Sequence, residues 1–177
     1  MNANCQWFAM RATYKREMLA KEYLEEKGIE VYVPLRSEIR VIRGIKRKIA
    51  APVVNGLIFV CASKDVIQQA KFGVDYLQYL TRKLNGKNTP IIVPTEQMEQ
   101  FRKVMEDDII DKKYFAPSEV NLKEGTIVKV HGGVLDGYEG VLMKIPGRRN
   151  KQFFLEIEGV VSVNLELKNY HLLEVVK

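Results

Sequence analysis

The chain is 177 residues long and has little of what metal or redox chemistry needs: two cysteines and two histidines. Cys5 and Cys61 both sit in apolar, strand-like runs, where a thiol behaves as a small buried hydrophobe. Two thiols so placed do not suggest a disulfide framework, and nothing in the sequence points to an oxidising compartment. His131 and His171 have no Cys or His partner at ligand spacing, so no metal site is expected. No apolar run approaches the ~20 residues that span a bilayer, so no membrane partner is expected. The opening Met-Asn-Ala-Asn-Cys-Gln-Trp has neither a basic start nor an apolar core, the two marks of a secretory signal. A cytoplasmic protein is the expectation. There is also no phosphate-cradling P-loop, no Ser/Cys–His pair with supporting spacing and no plausible acid–base pair. The chain reads as a binding protein, not an enzyme, with no cofactor.

What is present is an uneven charge. Residues 1–115 hold 20 Lys+Arg against 14 Asp+Glu, while residues 116–177 hold eight of each, so the whole net charge of +6 belongs to the front. Such an asymmetry points to a polyanion near the front part and a different task for the rear. Arg36, Arg40, Arg43, Lys46, Arg47 and Lys48 stand against Glu38 alone. With β-branched residues between them and Arg43-Gly44 at the centre, they read as a hairpin: a strand over Glu38–Ile42, a turn at Arg43–Lys46 and a return strand. A hairpin of this charge suits a nucleic-acid backbone or an acidic protein surface. Lys and Arg also guard exposed strand edges against unwanted pairing, and the sequence alone leaves both open.

Periodicity divides the rest. Residues 5–12 read as a first strand and Tyr14–Lys27 as a helix stopped by Gly28. Ile29–Leu35 is a second strand. Val53–Ala62 is apolar enough to be a central strand buried on both faces. Ser63 caps a short helix over 64–72, and Thr95 caps another to about Asp107. A short strand at Tyr76–Leu80, a turn at Asn85-Gly86-Lys87 and an extended run at Pro90–Val93 lie between them. The fold class is α+β, a mainly antiparallel sheet with packed helices over 1–108. Residues 109–121 read as a linker. Five short strands over 122–177 suit a small closed barrel.

Two runs of alternating apolar residues in Val128–Leu142 flank a turn with Gly133, Gly137 and Gly140, and Leu135 lies between the first two glycines. Glycine takes φ > 0 without steric cost, so this spacing encodes one particular loop, with Leu135 turned inward as its plug. The pattern resembles the KOW motif of small SH3-like barrels in ribosomal and transcription-elongation proteins.

The front part resembles the NGN domain of the NusG family of transcription elongation factors. The resemblance is carried by Trp7-Phe8-Ala9-Met10 on the first strand, Val33-Pro34 closing the second, the basic hairpin, Asn55-Gly56-Leu57-Ile58-Phe59-Val60 on the central strand, and Ile91-Ile92-Val93-Pro94 before the last helix. With the KOW pattern behind it, the likeness covers nearly the whole chain. The Asn55-Gly56 form and the compact loops look closer to the specialised, operon-restricted UpxY and RfaH type than to general NusG.

The resemblance implies a monomeric elongation or antitermination factor that binds RNA polymerase by an apolar depression receiving the tip of the clamp helices.

 By position the rim comes from Phe8, Met10, Val54, Asn55, Gly56, Leu57 and Phe59, with Val54 and Leu57 the most accessible. An apolar hollow suits a helix tip because docking removes non-polar area from water on both sides. The same resemblance places non-template DNA against the first helix, through Tyr14, Lys15, Arg16 and Lys21, and upstream DNA or an acidic polymerase surface against the hairpin, through Arg40, Arg43, Lys46 and Arg47. It gives the KOW domain a second partner, the Rho termination factor or a small-subunit ribosomal protein. Glu158 stands where general NusG has an aromatic anchor, so weak or absent Rho recruitment is expected. The β-branched run Val160-Val161-Ser162-Val163 favours a permanent barrel over refolding into helices. The alternative is a ribosome-associated or RNA-binding KOW protein, against which the neutral rear half argues.

Overall fold

A computed structural model describes residues 5–107, 112–115, 124–145, 147, 149–157, 159–165 and 172–176. The chain divides into two compact units, Met1–Met105 and Glu106–Lys177.

The first unit runs β1 (Gln6–Ala12), α1 (Glu17–Glu26), β2 (Glu30–Tyr32), β3 (Leu35–Ile42), β4 (Ile45–Pro52), β5 (Leu57–Ala62), α2 (Lys64–Lys71), β6 (Leu77–Tyr79), β7 (Thr81–Leu84), β8 (Lys87–Pro90), β9 (Ile92–Val93) and α3 (Thr95–Glu106). Its main sheet has the order β2-β5-β1-β6, with β9 also on β1, and every pairing is antiparallel. Alternation sends Phe8, Met10, Ile58 and Val60 to one face, where they pack with Ala20 and Leu24 of α1 and Ile67 and Ala70 of α2. The opposite face carries Trp7, Ala9 and Phe59. There the Phe59 ring lies 5.8 Å from Phe101 of α3, and the Arg102 guanidinium lies 5.9 Å from the Trp7 ring. Helices therefore cover both faces of β5, and all six of its residues are buried.

Local signals explain the helix ends. Ser63 Oγ accepts from the Val66 backbone N–H at 3.3 Å, and Asp65 and Lys71 suit the two ends of the α2 dipole. At the end of α1, the Gly28 N–H donates to the Glu25 carbonyl at 2.9 Å and the Ile29 N–H to the Leu24 carbonyl at 3.0 Å. Helix α1 begins at Glu17, later than the expected Tyr14, because Tyr14 and Lys15 both take left-handed φ values, 59° and 57°.

Two ribbons stand apart from the main sheet. Strands β3 and β4 pair over eight registers from Leu35↔Pro52 to Ile42↔Ile45, a longer hairpin than the sequence suggests, with Arg43-Gly44 alone as its turn. Strands β7 and β8 pair around Asn85-Gly86. The sequence signalled that second turn but not the strands beside it.

The second unit contains β10 (Lys112–Phe115), β11 (Thr126–His131), β12 (Glu139–Met143), β13 (Gln152–Ile157), β14 (Val161–Leu165) and β15 (Leu172–Val175), all antiparallel in the order β10-β14-β13-β12-β11-β15. No sheet among the described residues closes on itself, so the expected five-stranded barrel stands here as an open six-stranded sheet. The added strand comes from the stretch read as linker. It occupies the outer edge of β14, where its Phe115 ring meets Phe154 edge-on at 5.7 Å.

The loop between β11 and β12 seats Leu135 as a buried plug, and Gly133 and Gly137 take positive φ. Gly140 is needed for another reason: a Cβ there would strike the Phe154 carbonyl oxygen and the Phe153 ring. Glu158 and His171, and with Glu158 the residue behind the expected loss of Rho recruitment, lie outside the described residues.

Candidate functional site

Strand β1 ends where β5 begins: Arg11 is opposite Leu57, and Ala12 is opposite Leu77 at the start of β6. Three of the segments singled out in the sequence meet at this end of the sheet. The first is the turn before β5. Its Gly56 carbonyl accepts from the Ala12 N–H at 2.8 Å, and the Leu57 N–H donates to the Val54 carbonyl at 3.2 Å. Gly56 has φ +77°, and a Cβ on it would sit 2.7 Å from the Ala12 carbonyl oxygen, so only glycine lets this turn lie against β1.

The second segment is the turn between β1 and α1. The Thr13 N–H donates to the Tyr76 carbonyl at 2.8 Å, and the chain then passes through left-handed Tyr14 and Lys15. Tyr14 is 84% exposed. The Arg16 guanidinium lies 5.4 Å from the Tyr14 ring centroid and 5.0 Å from that of Tyr76, a cation held between two aromatic faces. Two consecutive left-handed non-glycine residues are costly and concentrate at functional turns. Glu17, the first residue of α1, is buried at the positive end of the helix dipole, and its Oε2 has no hydrogen-bond partner.

The third segment is the root of the β3–β4 ribbon, which leaves β2 after Tyr32 and returns before β5, its two feet joined by the Val53 N–H donating to the Pro34 carbonyl at 2.9 Å. Glu38 on this ribbon is gripped from both sides. It accepts from Arg36 Nε and Nη2 at 2.9 and 2.6 Å, and from Arg40 Nε and Nη2 at 3.2 and 3.1 Å. Hydrogen bonds from Arg36 and then Arg40 hold its carboxyl below the usual value of 4.5. Arg43, Lys46, Arg47 and Lys48 are all exposed.

Several expected site residues are elsewhere than the sequence suggested. Phe8, Met10, Leu57 and Phe59 were expected on an accessible rim, yet all are buried, Leu57 being only 3% exposed. The reason is the double cover of helices, which turns both strands into core. Val54 remains half-buried and Asn55 exposed. Lys21 pairs with Glu25 at 3.6 Å along the helix, and Arg40 is committed to Glu38. Tyr76 is the residue sequence reasoning missed. Its only signal was its place at the start of an expected short strand, which says nothing of its partner 60 positions away. Cys5 and Cys61 are not separate buried thiols but a disulfide, with Cα atoms 5.6 Å apart. Antiparallel pairing of Gln6 with Ala62 and Trp7 with Cys61 brings the two positions together, a neighbourhood that strand prediction alone does not supply. Among the described residues no group of three or more His, Cys, Asp or Glu side chains is placed to hold a metal ion.

The architecture is thus an α+β unit with its accessible chemistry at one sheet end and on a cationic ribbon, followed by an antiparallel β unit. Residues 5–102 match the family model described as transcription termination factor nusG. The chain belongs to the NusG family of transcription elongation factors. Among solved structures it is similar to Thermotoga maritima NusG, from a study of domain interaction, at 20% identity over 98% of both chains and a TM-score of 0.49. It is also similar to a chain of the MjSpt4:Spt5 complex, at 16% identity over 97% of both chains and a TM-score of 0.30.

Proposed function

We propose that the chain docks on RNA polymerase through the end of the first sheet and suppresses pausing or termination, as a specialised, operon-restricted member of its family. The observation that carries this reading is the hydrogen bond from the Ala12 N–H to the Gly56 carbonyl. It ties the Val54–Gly56 turn to the Tyr14–Arg16 turn, so one rigid end offers both an apolar edge and an aromatic–cationic one. Val54 and Asn55 make the contact with the clamp helices. Phe8, Met10, Leu57 and Phe59 support that surface from the core. Tyr14 and Arg16 meet displaced single-stranded DNA, where an exposed ring and a guanidinium suit base stacking and backbone charge.

The second unit, in this reading, is the KOW domain, with a ribosomal protein as its partner and little affinity for Rho. The buried, β-branched strand β14 favours a lasting β structure over a helical alternative.

The test is a polymerase pull-down with Val54→Asp beside the parent chain. A charge on this half-buried position forfeits apolar contact and adds a desolvation penalty. Loss of capture with an unchanged urea midpoint supports the reading, and full capture by the folded variant refutes it.

A further inference from the structure

The β3–β4 ribbon carries more than charge. We propose that it is a wedge for duplex DNA, inserting the Ile42–Ile45 pair of its tip at a base step while Lys46, Arg47 and Lys48 neutralise the phosphates alongside. This rests on the reading of the chain as a factor that works beside DNA, and it assigns the ribbon a mode of binding within that reading.

Four large β-branched side chains on the ribbon face solvent: Ile39 (74% exposed), Val41, Ile42 and Ile45 (58% exposed). Protection of a strand edge explains Lys and Arg but not these, since exposed apolar strands invite the very association that edge cations prevent. An acidic protein surface would be served by the cations alone. Duplex DNA uses both kinds of residue: phosphates take the cations, and an apolar wedge enters between partly unstacked bases.

The layout fits that division. Register and alternation put Ile42 and Ile45 opposite one another at the tip, on the face shared by Arg40 and Arg47, while Ile39 and Val41 share the other face with Lys46 and Lys48. The Arg36–Glu38–Arg40 ladder consumes charge near the root, so the cations without an ion pair among the described residues gather on β4 and the turn. Eight residues per strand give a reach of about 27 Å at ~3.4 Å per residue. A two-stranded ribbon of this kind is admitted by a DNA groove. Arg43 sits at φ 52° in the first position of the two-residue turn, where Asn, Asp or Gly is usual. That substitution costs strain and holds a guanidinium at the extreme end. The ribbon has no Asn or Gln to read adenine, and a wedge of this kind favours the flexible pyrimidine–purine steps, which unstack most easily.

The experiment uses the full chain and a duplex without polymerase. The duplex carries a donor and an acceptor dye at its ends and 2-aminopurine at a central TA step. Affinity is measured over a salt series. The parent chain is expected to bind, bend the duplex and raise the 2-aminopurine signal. Lys46→Gln/Arg47→Gln/Lys48→Gln should weaken binding and reduce the salt slope by about 3, at ~0.9 per phosphate contact. Ile42→Ser/Ile45→Ser should keep the slope and lose the bend and the unstacking. Both sets of positions are exposed, and circular dichroism checks that the variants fold. Bending by the isoleucine variant equal to the parent's overturns the proposal. So does a parent chain that never binds bare duplex while its charge variant loses polymerase, which assigns the ribbon to an acidic protein surface. Polymerase docking is read separately through Val54→Asp, so failure of that reading leaves the duplex result intact.

Discussion

Replacing Gly56 by alanine tests whether the end of the first sheet is built as described. Two costs apply. An L-residue in the left-handed region costs about 1–2 kcal/mol. The new Cβ would also lie 2.7 Å from the Ala12 carbonyl oxygen, so the turn must retreat and the 2.8 Å bond from the Ala12 N–H to the Gly56 carbonyl is stretched or lost. That second part is worth about 1 kcal/mol for the bond, plus the strain of retreat. Gly28 provides the control. Its φ is +72°, yet nothing lies within 4 Å of a Cβ built there, so Gly28→Ala bears the conformational cost alone. The lower entropy of the unfolded alanine chain is common to both variants and cancels in their difference. Gly56→Ala is therefore expected to be less stable than Gly28→Ala by about 1–2 kcal/mol. The sole tryptophan, Trp7, is buried in this unit and reports its unfolding by fluorescence in urea. At a slope of about 1–2 kcal/mol/M the two midpoints should differ by roughly 1 M. Gly56→Ala should also lose polymerase capture under conditions where Gly28→Ala is fully folded and active. Coincident midpoints would show that the turn does not press against β1, and the docking surface would then have to be sought elsewhere.

Phe59→Ala should cost about 3–5 kcal/mol by the same fluorescence assay, because the ring packs between sheet and α3; a loss below 1 kcal/mol would mean that this face is open. The Cys5–Cys61 bond closes a separation of 56 residues and should contribute about 4 kcal/mol to the first unit. Reductant should lower the Trp7 midpoint of the parent chain and leave Cys5→Ser unchanged, and alkylation of both thiols without reductant would count against the bond. Glu38 has its folded pKa depressed by Arg36 and Arg40, so the contribution of the ladder is present above the unfolded value of 4.5 and is lost as pH falls through the lowered one. An NMR titration of the side-chain carboxyl should give a midpoint below 4.5 that rises toward it with added salt, and a midpoint of 4.5 at low salt would contradict the ladder.

Elements set by short-range chemistry were legible in the sequence. Ser63 and Asp65 announce α2, the Arg43-Gly44 pair announces the basic hairpin, and the continuous apolar run in β5 announces burial on both faces. What failed depended on partners distant in the chain. The same burial on both faces took Leu57 out of reach, yet Leu57 was expected at a rim, because local sequence does not say which end of a strand a helix leaves uncovered. The Cys5–Cys61 bond needs the register of β1 on β5, and the place of Tyr76 needs the register of β6. Strand β10 was missed because Lys-Lys-Tyr-Phe has no periodicity of its own and is a strand only by lying on β14.

These errors share a physical origin that also explains where the site is. A strand covered by helices on both faces has no side chain left for a partner, whatever its composition. Only its ends remain, and there the backbone must turn sharply while its N–H and C=O groups stay satisfied. The Val54–Gly56 and Thr13–Arg16 turns meet that demand by bonding to Ala12 and Tyr76, respectively, and they take left-handed residues to do so. A glycine fixes the first turn at little cost. The second is made with tyrosine and lysine, for which the same backbone is unfavourable. Stability alone would select glycine or asparagine at Tyr14 and Lys15. A large exposed ring beside a cation, carried on so unfavourable a backbone, marks the turn as the part of this end shaped for a partner.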